Sequence, residues 1–327
     1  MKHREKIDKA EGKLGVLIPG IGGAVSTTFM AGVEMVRRGL ALPVGSVTQM
    51  GTIRLGKRFE YRTPKIRNFV PLARLDDLAF GGWDVFSDNC YQAAAQAGVL
   101  KPEHLQAVRP FLERVQPWPA VFNRAFVKNL AGPNVKPEAS HLELVEAIKK
   151  DISTFKREQG ISRCVMVWCG STEAYLKPAA VHASLDSFEA GLKNNDPNIS
   201  PSMLYAYAAL TSGIPYVNGA PNLTTDIPAM VELAKRHEVA IAGKDFKTGQ
   251  TLMKTVLAPG LKARMLGLSG WYSTNILGNR DGMVLDDKDS FRTKEESKLS
   301  VLKTILQPEV YPKLYENFHH KVVISYY

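Results

Sequence analysis

Residues 291–298 read FRTKEESK, and its two lysines, Lys294 and Lys298, stand four positions apart. On a helix that spacing puts both ammonium groups on one face, where like charges slightly destabilise the helix. Either the face is solvated, or it serves a site that needs two positive charges close together. Three other stretches carry chemistry that bears on the choice. GIGGAVSTT (20–28) follows an apolar run and opens a helical pattern. Its Gly20 and Gly22 permit a tight turn and close backbone approach to a pyrophosphate, which the helix N-terminus then faces. The third fingerprint position is Val25 rather than glycine, and no Asp or Glu ends the stretch read as the second strand. Asp84, in GGWDVF, is the candidate replacement for the ribose contact, with loop capping as its alternative. KDFKTGQT (244–251) offers hydroxyl, amide and backbone donors from Thr248, Gly249, Gln250 and Thr251 at a second helix N-terminus, where anions bind. N-capping is the plainer use of Thr248. GNRDG (278–282) reads as a tight turn presenting Asp281. His319–His320 has no second ligand pair at metal spacing, and no metal is expected. No G-x-S-x-G elbow or H-E-x-x-H motif supports hydrolase chemistry.

The elements that must position these residues alternate between short apolar runs and helical periodicity, the pattern of an α/β parallel sheet. LGVLIP (14–19) reads as a buried strand, 26–39 as a helix, LPVGSVTQM (42–50) as the next strand and GGWDVFS (81–87) as a later one. The helix over 140–160 has Ser140 as its cap, Leu142, Val145, Ile148, Ile152 and Phe155 as its apolar stripe, and Gly160 as its stop. RCVMVWC (163–169), IPYVNGAP and EVAIAG (238–243) read as further strands, with a helix at 202–213 and another opening at 249. The regular alternation then fades. ARMLGLSGWYST (263–274) and HKVVISYY (320–327) read as strands around a helix that begins near Lys294, which places a second, α+β unit from about residue 253. The chain stops on that last strand with no cap or closing helix, so the expectation is that it continues beyond Tyr327.

Composition bounds the rest. A chain of 327 residues with 45% hydrophobic and 23% charged residues has the material for one large core or two ordinary ones. The polar N-terminus lacks the apolar core of a signal peptide, and no stretch is long enough to span a bilayer. Three cysteines without C-x-x-C spacing indicate neither a disulfide framework nor a zinc site, so the expected compartment is the reducing cytoplasm. The net charge of +10 is densest in RLGKRFEYRTPKIR (54–67), read as a solvated loop or hairpin; with no nucleic-acid motif in the chain, neither nucleic acid nor membrane is expected as a partner.

Together, GIGGAVSTT, GGWDVFSDN, WCGSTE, YAALTSGIPYVNGAPN, GKDFKTGQT, NILGNRDG and FRTKEESK resemble the myo-inositol-1-phosphate synthase (inositol-3-phosphate synthase) family, in the family's order and over most of residues 14–327. The chain is similar to its compact, bacterial type. The resemblance implies a Rossmann-type NAD-binding domain, assigned to 1–252, and an α+β catalytic and tetramerisation domain, assigned to 253–327, each with a further segment expected beyond this chain. It also implies a cytoplasmic homotetramer that converts D-glucose 6-phosphate to 1D-myo-inositol 3-phosphate. In that reaction carbon five of the sugar is oxidised to a ketone by NAD, carbon six attacks the aldehyde carbon in an aldol closure, and the hydride returns, so the net change is an isomerisation.

By the same resemblance Gly20, Ile21, Gly22, Gly23, Ala24, Asp84, Cys169, Gly170, Ser171, Thr172 and Gly219 contact the dinucleotide. Asp245 and Asp281 stand near both cofactor and substrate, and Thr248, Gly249 and Gln250 cradle the substrate phosphate. Lys294 matches the lysine at the reacting carbons and Lys298 one that holds the phosphate. A fixed cation beside a developing oxyanion lowers its barrier by a few kcal/mol, and a second lysine lowers the pKa of the first. The family's further lysines, including one in a Gly-Asp-x-Lys turn after the last strand, lie beyond this chain, and the chain alone is not expected to complete the cyclisation. A conventional NAD-dependent sugar-phosphate dehydrogenase and a non-catalytic NAD-binding assembly module remain open alternatives.

Overall fold

The computed structural model describes residues 11–277 and 279–326. The first unit runs β1 (Lys13–Pro19), α1 (Ala24–Arg37), α2 (Val47–Met50), α3 (Ile66–Phe69), β2 (Leu78–Asp84), α4 (Cys90–Ala97), α5 (Pro102–Leu112) and β3 (Trp118–Pro119). It continues through α6 (His141–Gln159), β4 (Ile161–Trp168), α7 (Leu185–Asn194), α8 (Pro201–Thr211), β5 (Tyr216–Asn218), α9 (Pro228–Arg236) and β6 (Ile241–Ala242). The six strands form one sheet in the order β3-β2-β1-β4-β5-β6, every neighbour parallel. A strand covered on both faces must be apolar throughout, and β1 is buried from Gly15 to Pro19. Its alternate residues feed two cores: Leu17 joins Trp83, Ile148 and Tyr205 on one face, while Val16 and Ile18 join Met30 and Val108 on the other.

Register decides what meets at the sheet's C-terminal edge. Pro19 pairs with Trp83, so the turn after β1 lies beside Asp84 at the end of β2. Cys169, just past β4, donates its backbone N–H to Pro19 O at 2.9 Å. The strand order reverses at β1, which is where ligands bind in doubly wound sheets.

Helix α6 follows its sequence signals: Ser140 and Glu143 form a capping box, and Gly160 closes the helix in the left-handed conformation. Val145, Ile148, Ile152 and Phe155 are its buried stripe, whereas Leu142 is largely exposed. Trp83 is fully buried and makes edge-on contacts with Trp118 and Tyr205, each at a centroid distance of 5.0 Å. Its indole N–H donates to Asp151 Oδ2 at 2.7 Å, and the same oxygen pairs with Lys136 at 2.8 Å.

The second unit comprises α10 (Gly249–Ala263), β7 (Gly270–Leu277), α11 (Asn279–Leu285), α12 (Lys288–Leu306) and β8 (His319–Tyr326). β7 and β8 form a separate parallel pair, and Ala258, Leu302, Leu306 and Tyr315 make a small core between the helices and this pair.

Several expectations are corrected here. LPVGSVTQM is not a strand: Pro43 and Gly45 interrupt it, and only Val47–Met50 turns helical, with Leu42 and Val44 exposed. The second strand is β2, which begins at Leu78 and ends in Asp84, so the fingerprint's acidic residue is present after all. The basic stretch 54–67 belongs to a long connection before β2, closed by a Thr52–Lys65 antiparallel bridge. Arg37 fastens the end of this connection through hydrogen bonds to the carbonyls of Leu75 and Leu78. Residues 252 and 253, on either side of the expected boundary, both lie inside helix α10. The strand placed at 263–274 starts only at Gly270, and α12 starts at Lys288, earlier than Lys294. Residues 279–282 of GNRDG open α11 instead of forming a turn; Gly278 lies outside the described residues.

Removing the Trp83 indole empties the centre of the larger core. Trp83→Ala should lose about 3–5 kcal/mol of stability and Trp83→Phe about 1–2 kcal/mol in urea denaturation followed by circular dichroism. Equal midpoints for wild type and Trp83→Ala would refute this packing.

Candidate active site

A cleft of about 590 Å3 opens at the C-terminal edge of the sheet, over the end of β1, a size typical of small-molecule sites. Its floor is the glycine turn. Gly20 has φ of +85°, and a Cβ there would stand 2.6 Å from the Gly170 nitrogen, so only glycine lets this turn close against the CGST segment. Gly20 N–H donates to Trp83 O at 2.8 Å, and Ser26 Oγ donates back to Gly20 O at 2.8 Å. Helix α1 starts after Gly23 with no side-chain cap, which leaves its first N–H groups free for an anion. Gly22 N–H donates to Asp84 Oδ2 at 2.9 Å and Phe86 N–H to Oδ1 at 3.2 Å, which fixes the carboxylate beside the turn. Burial raises the Asp84 pKa, against the lowering effect of those hydrogen bonds and of Arg280.

Cys169, Gly170 and Ser171 form the opposite wall. Burial pushes the Cys169 thiol up to about 11 and the Cys90 thiol up to about 12, so neither is a thiolate nucleophile at neutral pH. Glu173, which also lines the cleft, is buried and accepts from Ser202 N–H at 2.8 Å and Ser202 Oγ at 2.7 Å. Burial raises its pKa to about 7, opposed by the Ser202 and Ser200 hydrogen bonds.

Helix α11 closes the cleft. Val284 of α11 packs on Phe126 and Val127, and Asn129 Nδ2 donates to Met283 O at 3.0 Å. Asp287 caps α12, and Lys128 pairs with Asp287 at 3.1 Å and Asp289 at 2.6 Å. These contacts bring Arg280 and Asp281 of α11 to the cleft, with the Arg280 guanidinium 3.8 Å from the Phe86 ring centroid. Burial raises the Asp281 pKa; Lys294 lowers it and Asp245 raises it, which places Asp281 within the field of both.

Behind Asp281 lies the lysine cluster. Both oxygens of the buried Asp245 are taken by one face of α12: Lys294 Nζ reaches Oδ1 at 3.0 Å, and Ser297 Oγ donates to Oδ2 at 3.1 Å. Asp245 adopts φ of +64°, an uncommon conformation held by its N–H bond to Ala220 O at 3.0 Å. Lys298, one turn beyond Lys294, is buried, and burial together with the charges of Lys294 and Lys247 lowers its pKa against the opposing pull of Asp245. Lys254 of α10 is fully buried, and its pKa is lowered to about 8 by burial and by Lys298. A solvated face is therefore excluded for the Lys294–Lys298 pair.

Of the residues singled out in the sequence, Gly20, Gly22, Gly23, Ala24, Asp84, Cys169, Gly170, Ser171 and Asp281 line the cleft. Ile21 is in the core, Thr172 is buried, and Gly219 donates its backbone N–H to Trp168 O at 3.1 Å. Asp245, Gln250, Lys294 and Lys298 gather in the second cluster, at the edge of which Thr248 holds the N-cap position of α10 without a side-chain capping bond. Sequence reading missed Lys254, Ser297, Arg280 and Glu173. Lys254 is four residues from Gln250 and Ser297 three from Lys294, spacings that share a helix face, while Arg280 and Glu173 adjoin quoted motifs.

An all-parallel 3-2-1-4-5-6 sheet, with a glycine turn at its switch point and an acidic residue ending its second strand, defines a Rossmann-type dinucleotide-binding domain. The family model described as myo-inositol-1-phosphate synthase, a model of an NAD-binding domain, matches residues 14–307, and the chain belongs to that family. It is 51% identical over 325 residues to inositol-3-phosphate synthase 1 of Bacteroides thetaiotaomicron, covering 99% of this chain and 75% of that protein. It is 35% identical to inositol-3-phosphate synthase 1 of Oryza sativa subsp. japonica, covering 96% of this chain and 64% of the relative. The crystal structure of inositol-3-phosphate synthase from Caenorhabditis elegans superposes with a TM-score of 0.90 at 31% identity, over 98% of this chain and 66% of that one. The chain thus spans between 64% and 75% of the length of these relatives. NAD is the cofactor of this family, and the uncapped N-terminus of α1, beside a glycine turn that lines the cleft, fits its pyrophosphate.

Two outcomes follow from this geometry. Asp84 lines the cleft beside the glycine turn, where a carboxylate would repel a 2′-phosphate, and Arg54, Lys57 and Arg58, which precede β2, are not among the residues that line it. NAD should therefore bind at least about tenfold tighter than NADP, and Gly20→Val should abolish binding; tighter NADP binding in parallel titrations would overturn the assignment. Glu173 keeps its proton in the fold up to about pH 7, whereas the unfolded chain releases it near the ordinary 4.5. Stability should fall as pH rises through that window and level off above it. Relative to Glu173→Gln, wild type should lose about 2–3 kcal/mol between pH 5 and pH 8 in urea titrations; a parallel pH dependence in the two proteins would refute it.

Proposed function

We propose that the protein is an inositol-3-phosphate synthase that cyclises D-glucose 6-phosphate to 1D-myo-inositol 3-phosphate. The observation that carries this reading is the meeting, at Asp281, of the dinucleotide cleft and the lysine cluster. A redox cofactor site opening onto a group of fixed cations suits a reaction that oxidises a phosphorylated sugar and then stabilises an enolate. The names of the relatives point the same way.

NAD, when bound, supplies the acceptor that takes the hydride from carbon five and gives it back after ring closure. The protein's part is charge and proton placement. Lys294, pinned by Asp245, holds its ammonium beside the oxygens on which negative charge develops. Its proton is available to the aldehyde oxygen as the ring closes, and Asp245 compensates the positive charge while Lys294 waits. Lys298, its pKa lowered by burial and by Lys294, binds the phosphate together with the exposed N-terminus of α10 at Thr248 and Gly249 and the amide of Gln250. Asp281 stands between cofactor and substrate as a local acceptor. We further propose the two-unit division, with its junction before Gly249, and a homotetrameric assembly in the cytoplasm. Among the described residues no helix is long and apolar enough to cross a membrane.

The test is an assay of glucose 6-phosphate with NAD. With the family's remaining segment supplied, inositol phosphate should form without net reduced cofactor; accumulation of one NADH per product would instead make the protein a dehydrogenase. Lys294→Ala should lower turnover by about 10²-fold or more with little change in KM. Lys298→Ala should raise KM about tenfold as well. Wild-type kinetics in both variants would remove the lysines from the site.

A further inference from the structure

Gln250 stands one residue inside α10, and only 8% of it is exposed. Its Oε1 accepts from Lys254 Nζ at 3.3 Å and from the Ser273 hydroxyl of β7. Its Nε2 is buried and has no hydrogen-bond partner among the described residues. The orientation follows from chemistry: an ammonium only donates, so the amide atom facing Lys254 is oxygen, and the NH2 is turned the other way. Lys254 is held by a second bond, to the Lys298 carbonyl at 2.9 Å, which ties α10 to α12. A methionine would fill the same space between these helices without the cost of burying an ammonium. Among the described residues both acceptors that Lys254 reaches are neutral, so the charge is not there to complete an ion pair.

We propose that Lys254 and Ser273 are positioning residues that lock the Gln250 amide, presenting its NH2 as a fixed donor to a phosphate at the α10 N-terminus. This rests on the reading of Thr248–Gln250 as the phosphate subsite. An amide without these two donors is free to flip and present its oxygen to the anion, which repels it. The lock converts an ambivalent side chain into a donor, beside backbone N–H groups that Thr248 leaves uncapped.

The experiment is calorimetric titration of glucose 6-phosphate into the NAD-loaded protein, with Lys254→Met, Ser273→Ala, Gln250→Ala and the two double variants that combine Gln250→Ala with each of the others. Lys254→Met and Gln250→Ala should each weaken binding about tenfold, and Ser273→Ala about threefold. Because Lys254 and Ser273 act through the amide, each loss should vanish in the Gln250→Ala background. Losses that persist undiminished there would mean that Lys254 acts by its charge alone and would overturn the lock. Should Lys254→Met fail to bind NAD or to fold, the Ser273→Ala cycle decides the question, since it changes no charge. Wild-type affinity in Ser273→Ala and Lys254→Met overturns this inference only, whereas wild-type protein that does not bind glucose 6-phosphate overturns it together with the proposed function.

Discussion

The ion pair between Asp245 and Lys294 fixes how α12 sits against the loop that leaves the parallel sheet, beside the packing of Val284 on Phe126 and Val127 and the ion pairs of Lys128. Asp245 belongs to the loop that leaves the parallel sheet, and Lys294 to a helix of the second unit. Both carboxylate oxygens are engaged by α12, through Lys294 and Ser297, so the loop sets the rotation of that helix as well as its distance. A buried charge without its partner costs several kcal/mol, which makes this contact a strong constraint on how the units dock. Asp245 reaches its position in a left-handed conformation that few non-glycine residues adopt, and strain of that kind concentrates where function fixes geometry.

From this pair outward, electrostatics grade the site. Asp281 faces the dinucleotide cleft with a raised pKa, while Lys298 and Lys254, farther in, have lowered ones. The common cause is burial, which disfavours charge of either sign. Asp245 and Lys294 stand where opposite charges offset that cost for each other. A substrate bringing a phosphate into such a region supplies negative charge that the excess of buried lysines lacks. The protein holds the cations in place before the substrate arrives, and preorganisation of this sort lowers barriers because no dipoles need to reorient during the reaction.

The sequence disclosed those parts whose local physics is self-contained. The Ser140 capping box, the Gly160 stop and the glycine turn at Gly20 each need only neighbouring residues to be recognised. Asp84 was visible as a candidate, yet its place at the end of the second strand was hidden by the long connection between α1 and β2, whose Leu42 and Val44 imitate a strand but are exposed. Spacing puts Lys294 and Lys298 on one face of α12 but leaves open whether that face is solvated, and it does not reveal the burial of Lys254. In the run LMKTV it looks like any solvent-facing helix lysine, and only the packing of α10 on α12 and β7 buries it. GNRDG misled in the opposite sense, because glycine and asparagine favour turns locally while tertiary packing of Val284 on Phe126 and Val127 supports a helix.

On the proposed function, the Asp245–Lys294 pair organises the chemistry and leaves cofactor capture to the cleft. The direct measurement is Asp245→Asn, with NAD affinity and glucose 6-phosphate turnover determined on the same preparation. NAD affinity should stay within about threefold of wild type while turnover falls by about 10²-fold or more. Turnover close to wild type with NAD still bound would contradict it, because Lys294 would then need no carboxylate to do its work.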